Sequence, residues 1–467
     1  MSEVPTVPDA SHPIDLSDQV ASALSDNGAV SKAMPAFEAR PGQREMAEAT
    51  ARILVDGGML LAEAGTGTGK TLAYLVPAIL SKQQVLISTG TKNLQDQIYY
   101  KDLPALRDAL DIDVRATYMK GRNNYLCLHR FATLKNEIST LPLVEQTHLE
   151  QLTQWADQTT TGDRAEIEDL PDDFSAWGDI AATSENCIGA ECPEFQECYV
   201  TKMRQQALES DIVIVNHHLL CADAAVRQSA YGEVIPTCSF AIIDEAHQLE
   251  DVATQYFGVS VSNNRLEELI RDGRRLVTET LASTDFDNSC AEELSELLSG
   301  VHDGAQVFFN ALALAMPEMD RARLTAELCA PISEPGRRLI RKLEDLVDAL
   351  SSLSTSSEDI ATFGHRAAKV YENLTFILEA NEQAFVYFLE RRGRGVFLRA
   401  SPIDVSSIVR ELLFDRMQGT VLTSATLTVD GTFEYLKGRL GLDHADALRL
   451  PSEFDYTTQS ILYLPRT

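Results

Sequence analysis

The stretch EAGTGTGKT, residues 63 to 71, constrains this chain more than any other. It follows the apolar run MLLA and precedes the helix-forming LAYLVPAIL, so a buried strand turns through glycines into a helix. Gly65, Gly67 and Gly69 let backbone N–H groups approach phosphates, and the helix N-terminus adds the positive end of its dipole. Thr66 and Thr68 complete the loop, Lys70 supplies a point charge for the outer phosphates, and the Thr71 hydroxyl can ligate Mg²⁺. Ala64 stands where the usual pattern begins with glycine, and it is small enough to permit the turn. A dinucleotide site is disfavoured, because the glycines fall as G-x-G-x-G and not G-x-G-x-x-G.

AIIDEAH, residues 241 to 247, supplies a partner for that loop. An acid at the end of a buried strand can hold Mg²⁺, which makes Asp244 the metal residue, and Glu245 beside it can accept the proton of an attacking water. His247 reads either as a polar core residue or as a coupling residue between this site and the rest of its domain. Together the two motifs predict a nucleoside triphosphatase.

Strands alternate with helices from Gln43 onward, through REMAEATARILVDG, GMLLAEAG and QVLISTG, and resume at DIVIVNHH, SFAIIDEAH and TVLTSATL. That alternation predicts an α/β fold with a parallel sheet. It is broken twice, by an acid-rich stretch holding Trp155, Trp177 and three clustered cysteines, and by a helical stretch over 260 to 380. In the latter, Leu339, Leu343, Leu346, Val347, Leu350 and Leu353 form one apolar stripe, a core face. AFVYFLERRGRGVFLRASP reads as two strands about a glycine turn, with Arg391, Arg392 and Arg394 as solvated turn residues.

The 467 residues suffice for two or more domains. No apolar run reaches spanning length, and the acidic N-terminus lacks the basic start of an export signal, so a cytoplasmic protein with no membrane partner is expected. A net charge of −30 excludes a generally basic DNA-coating protein while leaving room for a local basic groove.

These motifs, with TSAT at residues 423 to 426, resemble the superfamily-two helicases. The closer resemblance is to the DinG/YoaA branch of the XPD-like iron-sulfur helicases. It is carried over nearly the whole chain by EAGTGTGKTLAYLVPAI, STGTKNLQDQ, MKGRNNYLC, the C-x4-C-x5-C run, DIVIVNHHLL, IIDEAH, SPIDVS and VLTSATL in that order. The resemblance implies a RecA-like core that binds ATP and Mg²⁺, an adenine-reading role for Gln43 with Arg40 beside it, and coupling through Ser424 and Thr426. It further implies an ATP-dependent DNA helicase moving 5′ to 3′ on single-stranded or forked DNA, in repair or replication with partner proteins of those processes. Lys120 and Arg122, just before the first cluster cysteine, become candidate DNA contacts.

Cys187, Cys192 and Cys198 lie in ENCIGAECPEFQEC, and Cys127 upstream completes four thiols. The residues alone leave a zinc site, an iron-sulfur cluster or coincidence open; gaps of four and five residues fit zinc's tight pairs poorly, and a reducing compartment disfavours disulfides. The resemblance selects a 4Fe–4S cluster. Cys221, Cys238, Cys290 and Cys329 read as packing residues, and His217 and His218, adjacent on an expected strand, as structural.

The expected organisation is a mobile leader over 1–35; the first RecA-like domain over 36–120, 206–258 and 384–430; an iron-sulfur insert over 121–205; a helical arch insert over 259–383; and the truncated start of a second RecA-like domain over 431–467. In that start Glu453 replaces the proline of the family pattern, and no G-R-x-x-R element follows. Such a fragment is expected to bind ATP weakly, assemble the cluster and hydrolyse ATP poorly. Two rival functions are a P-loop ATPase that remodels RNA or protein without unwinding DNA, and a non-hydrolysing nucleotide- and DNA-binding module.

Overall fold

The computed structural model describes residues 15–35, 37–136, 151–167, 170, 174, 177–183, 186–227, 233–282, 288–316, 320–353, 358–393, 395–454, 458, 460, 461 and 463. Contacts divide the chain into two compact units. One comprises Met1–Lys120, Met203–Ala253 and Val405–Thr467, and the other Gly121–Lys202 and Thr254–Asp404.

The strands of the first unit are β1 (Gly58–Ala64), β2 (Val85–Thr89), β3 (Ala116–Tyr118), β4 (Ile212–Asn216), β5 (Phe240–Asp244), β10 (Gly419–Ser424) and β11 (Asp446–Leu450); the strands numbered between belong to the second unit. They form a seven-stranded sheet in the order β11-β1-β10-β5-β2-β4-β3, with every pairing parallel. VLIST, FAIID and GTVLTS are buried at every position. Near-continuous apolar strands of this kind are what a parallel sheet covered on both faces requires. Register sets Glu63 beside Ser424, Thr423 beside Asp244 and Ser88 beside Ile243, so the motif residues arrive together at the carboxyl ends of the strands.

Helix α3 (Pro41–Asp56) begins with proline at its first turn and ends at Gly57, φ +80°; helix α4 (Lys70–Ser81) starts inside the phosphate loop. Residues 1–35 do not behave throughout as the expected mobile leader. Residues 1–14 lie outside the described set, but helices α1 (Leu16–Ala23) and α2 (Ala29–Ala33) pack into this unit, with Val20, Leu24 and Val30 at most 1% exposed. The physical reason is spacing: Val20, Ala23 and Leu24 recur at three and four along one turn and make an apolar face. The stretch expected to open a second domain also differs, since residues 446–450 pair with β1 as an edge strand of the same sheet. His217 and His218 lie not on a strand but at the start of helix α5 (His217–Val226), because the Asn216 side chain caps it by accepting from Leu219 N.

The second unit pairs β6 (Val259–Ser262), β7 (Arg321–Arg323), β8 (Phe385–Arg392) and β9 (Gly395–Pro402) antiparallel in the order β6-β9-β8-β7. The β8–β9 hairpin, expected with the parallel sheet, therefore belongs here. Its partners β6 and β7 flank the helices of this unit, and Leu389 and Leu398 share their core. Arg391 and Arg392 end β8, while Arg394 lies outside the described residues. Helices α6 (Asn263–Ala282), α7 (Asn288–Ala315), α8 (Ala326–Leu353) and α9 (Glu358–Glu379) bury the expected stripe, with Leu339, Leu343, Leu346 and Leu350 in the core and Val347 and Leu353 packed against it. Among the described residues no helix is long and apolar enough to cross a membrane.

Candidate functional site

The loop between β1 and α4 holds Gly67 at φ +86° and Gly69 at φ +80°, conformations that a side chain makes costly. Space repeats the demand, because a Cβ on Gly67 would meet the Phe454 ring and one on Gly69 the Gln43 amide. Thr68 Oγ1 donates to Gly65 O at 2.8 Å, and Lys70 Nζ donates to Ala64 O at 3.2 Å, tying both to the loop. Gln43, 3% exposed, donates through Nε2 to Gly69 O at 3.0 Å and leaves Oε1 buried without a partner. Arg40 donates to Gly67 O. The two residues ahead of α4 in the chain are thus brought onto the loop by the start of α3.

Facing it, Asp244 ends β5 with 2% exposure. Its Oδ2 accepts from Tyr74 Oη at 2.8 Å, and its Oδ1 accepts from Glu245 N at 2.9 Å. Burial raises the Asp244 carboxyl to about 6, against the lowering effect of Tyr74 and of Lys70. Thr71 also reaches the Tyr74 hydroxyl, so Thr71 and Asp244 share one buried phenol. The Thr71 hydroxyl, the Asp244 carboxylate and Lys70 converge where a triphosphate and its metal can sit.

Glu245 adopts φ +54°, ψ +43°, uncommon for a residue with a side chain, and this turns its carboxylate toward β10. Ser424 Oγ lies 2.9 Å from Glu245 Oε2 as donor and 2.8 Å from His247 Nδ1, and Thr426 N donates to Ser424 Oγ at 3.4 Å. The acid beside Asp244 and the strand carrying TSAT are therefore one hydrogen-bonded network. His247 is part of it and not a core residue.

In the second unit Cys127, Cys187, Cys192 and Cys198 are free thiols of intermediate exposure. Burial pushes the Cys127 thiol up, with Cys187 and Cys192 adding to it, and Cys192 is raised in the same way with contributions from Cys198 and Cys187. The chain brings all four within electrostatic reach, Cys127 through a backbone bond from its N–H to Ile180 O at 2.8 Å. Among the described residues no three or more histidine, cysteine or acidic side chains close around one metal ion. Cys221 and Cys238 are buried, each pushed to about 12 by that burial, as packing cysteines are. Cys290 and Cys329 are of intermediate exposure. Lys120 is 9% exposed, its ammonium 4.8 Å from the Tyr118 ring centroid, and Arg122 begins a short 3-10 turn in the other unit. Pairing with Tyr118 and burial make Lys120 a poorer phosphate contact than its charge predicts.

Residues 40–154 match the family model described as DEAD/DEAH box helicase. Over 444 residues the chain is 36% identical to the ATP-dependent DNA helicase YoaA of Escherichia coli (strain K12), covering 95% of this chain and 68% of that protein. The chain belongs to the YoaA/DinG family of helicases. It is also 34% identical over 460 residues to the ATP-dependent DNA helicase YoaA of Haemophilus influenzae, 97% of this chain and 70% of that protein. The ATP-dependent helicase DinG of Mycobacterium tuberculosis (strain H37Rv) is 31% identical over 479 residues, 96% of this chain and 69% of that protein.

Three groups at this YoaA/DinG-family site escaped sequence reasoning. Tyr74 sits one helical turn past Thr71, a spacing that marks a shared face without revealing its partner. Glu63, one residue before the loop, accepts from Leu427 N at 2.7 Å, Thr428 N at 2.6 Å, Thr428 Oγ1 at 3.0 Å and Arg449 Nε at 3.0 Å. It ties β1 to the turn after TSAT and to β11. Near the loop, Ser452 Oγ stands 3.5 Å from Thr66 O, and Glu453 Oε1 accepts from Gly42 N at 3.3 Å. The glutamate in the proline position thus meets the start of α3.

Proposed function

We propose that this chain is an ATP-dependent DNA helicase that hydrolyses ATP at the phosphate loop and moves 5′ to 3′ along single-stranded DNA in repair or replication. The observation that carries the reading is the bridge from Glu245 through Ser424 to His247, which joins the acid next to Asp244 to β10, the strand whose last two residues begin TSAT. In it Lys70 and the loop N–H groups would hold the phosphates, Thr71 and Asp244 would hold Mg²⁺, and Gln43 lies beside the loop to meet the base. Glu245 accepts the water's proton, and loss of that charge weakens its bond from Ser424, which passes the event to β10. Arg122 is the stronger of the two proposed DNA contacts.

The proposal includes a 4Fe–4S cluster on Cys127, Cys187, Cys192 and Cys198. What supports it is four free thiols gathered from two separated stretches, in a donor set of the kind that binds iron-sulfur clusters. Bound there, the group would tie residue 127 to the 187–198 run as a cross-link. The proposed domain frame assigns the parallel-sheet unit to the RecA-like core and the second unit to cluster and arch.

The test is turnover of ATP with single-stranded DNA, with RNA and with no polymer, alongside strand displacement, in wild type and Lys70→Ala. DNA-stimulated turnover lost in Lys70→Ala supports the reading. Unwinding retained by Lys70→Ala would sink it, RNA-selective stimulation would favour an RNA remodeller, and nucleotide binding without turnover a binding module.

A further inference from the structure

Behind Glu245 lies a buried histidine that no step of the proposed reaction uses. His217, 0% exposed, begins α5 at the carboxyl end of β4. Its Nδ1 is 2.7 Å from Ser88 Oγ on β2, itself fully buried. The ring also lies against the backbone of Asp244 and Glu245, whose carbonyls act on it, although Nε2 meets no partner at full hydrogen-bond geometry.

The place of this ring in the sheet gives it a purpose. β2 pairs with both β4 and β5, so Ser88 on β2, Asp244 on β5 and His217, which opens α5 directly after β4, stand together at one end of the sheet. The chain leaves β5 through Glu245 in the left-handed region, a conformation that is costly for a residue with a side chain and persists only where surroundings enforce it. A ring set against that peptide and fixed from behind by Ser88 is such an enforcement. A hydrocarbon side chain would fill the space without fixing the peptide's direction.

We propose that His217 is a positioning residue, which with Ser88 holds the Asp244–Glu245 peptide so that the Glu245 carboxylate points at the attacking water. The inference rests on the proposed hydrolytic role of Glu245. It predicts an effect on turnover and not on nucleotide binding, since His217 meets Ser88 and the Asp244–Glu245 backbone rather than the phosphate loop.

The experiment compares His217→Ala, His217→Asn, His217→Gln and Ser88→Ala in the full chain, with Glu245→Gln beside them, reading kcat and KM for ATP, nucleotide affinity and thermal melting. Misdirecting a reacting group by about 1 Å costs up to roughly 100-fold in rate. His217→Ala is accordingly expected to lose roughly 10- to 100-fold in kcat with KM within about twofold. Gln, whose amide reaches the Nε2 position, restores more than Asn, whose amide reaches only the Ser88 side, and Ser88→Ala loses less than His217→Ala. Wild-type kcat in His217→Ala overturns the proposal, as does equal loss in Asn and Gln. Should His217→Ala not fold, the Asn and Gln comparison decides alone. Full turnover in Glu245→Gln means instead that the hydrolytic reading itself has failed, whatever the histidine variants do.

Discussion

Tyr74 donates its hydroxyl to Asp244 Oδ2 across 2.8 Å in the buried interior, joining the helix of the phosphate loop to the carboxylate that ends β5. The bond matters because burial raises Asp244 from 3.8 to about 6. A raised carboxyl means the folded state holds its proton more tightly. The group's contribution to stability is thus full below 3.8 and is lost as pH rises through about 6, a cost of ~3 kcal/mol for the ionised form. A bound cation offsets that cost. Mg²⁺-nucleotide should therefore raise the melting temperature more at pH 8 than at pH 5, a comparison that scanning fluorimetry makes directly.

Removing the phenol sharpens the same argument. Tyr74→Phe keeps the ring in the core and leaves Oδ2 without its donor, so the Asp244 carboxyl should climb further. The acid limb of the kcat profile is expected to move to higher pH, with turnover at pH 7 falling more than turnover at pH 9. A profile superimposable on wild type would remove Tyr74 from the site.

Glu63 behaves in the opposite sense. Burial by itself pushes its carboxyl up, but donation from Leu427 N, Thr428 N, the Thr428 hydroxyl and Arg449 together outweighs this and holds it below 4.5. A depressed carboxyl contributes stability that is present above 4.5 and lost as pH falls through the lowered value. Glu63→Gln should cost about 1.5–3 kcal/mol at neutral pH, the usual worth of hydrogen bonds to a charged group, and the gap to wild type should close on acidification. Denaturant melts at pH 7 and pH 3.5 measure both.

Lys70, Thr71, Asp244, Glu245 and Ser424 were legible in the sequence because each belongs to a short pattern whose chemistry is local. The partners of Tyr74, Glu63 and His217 were not, because they are 170, 364 and 129 residues away, and only strand register brings them into reach. The same reason explains the misplaced elements. ALRL carries an alternation that any sheet can accept, and β1 rather than a second domain receives it. The hairpin at 385–402 reads correctly as two strands, yet its sequence does not say which sheet it joins.

Asp272 is shared between Arg366 at 2.8 Å and Arg130 at 4.0 Å, with Asp272 and Arg366 both about nine-tenths buried. Removing one partner of a buried pair strands the other charge, at a cost of about 3–5 kcal/mol, whereas an apolar replacement of both is often neutral. Asp272→Ala should therefore lower thermal stability sharply, and Asp272→Leu with Arg366→Met should recover most of it. Equal loss in the single and double variants would show that the pair contributes by shape and not by charge.

The four cysteines make the most decisive prediction. A 4Fe–4S cluster requires thiolates, and the raised Cys127 and Cys192 thiols will ionise only with a cation to compensate burial and one another. Anaerobically purified protein should therefore show a broad visible absorption band with about four iron and four sulfide per chain, in keeping with that cluster type. Cys127→Ser or Cys192→Ser should lose most of the colour, while Cys221→Ser, whose thiol is buried in the parallel-sheet unit, should keep it. Chelation after oxidation is expected to lower the melting temperature of wild type and to leave the colourless variants unmoved, since the cross-link between residue 127 and the 187–198 run exists only in the former. One zinc per chain with neither iron nor colour would refute the cluster and return the wide cysteine spacing to an open question.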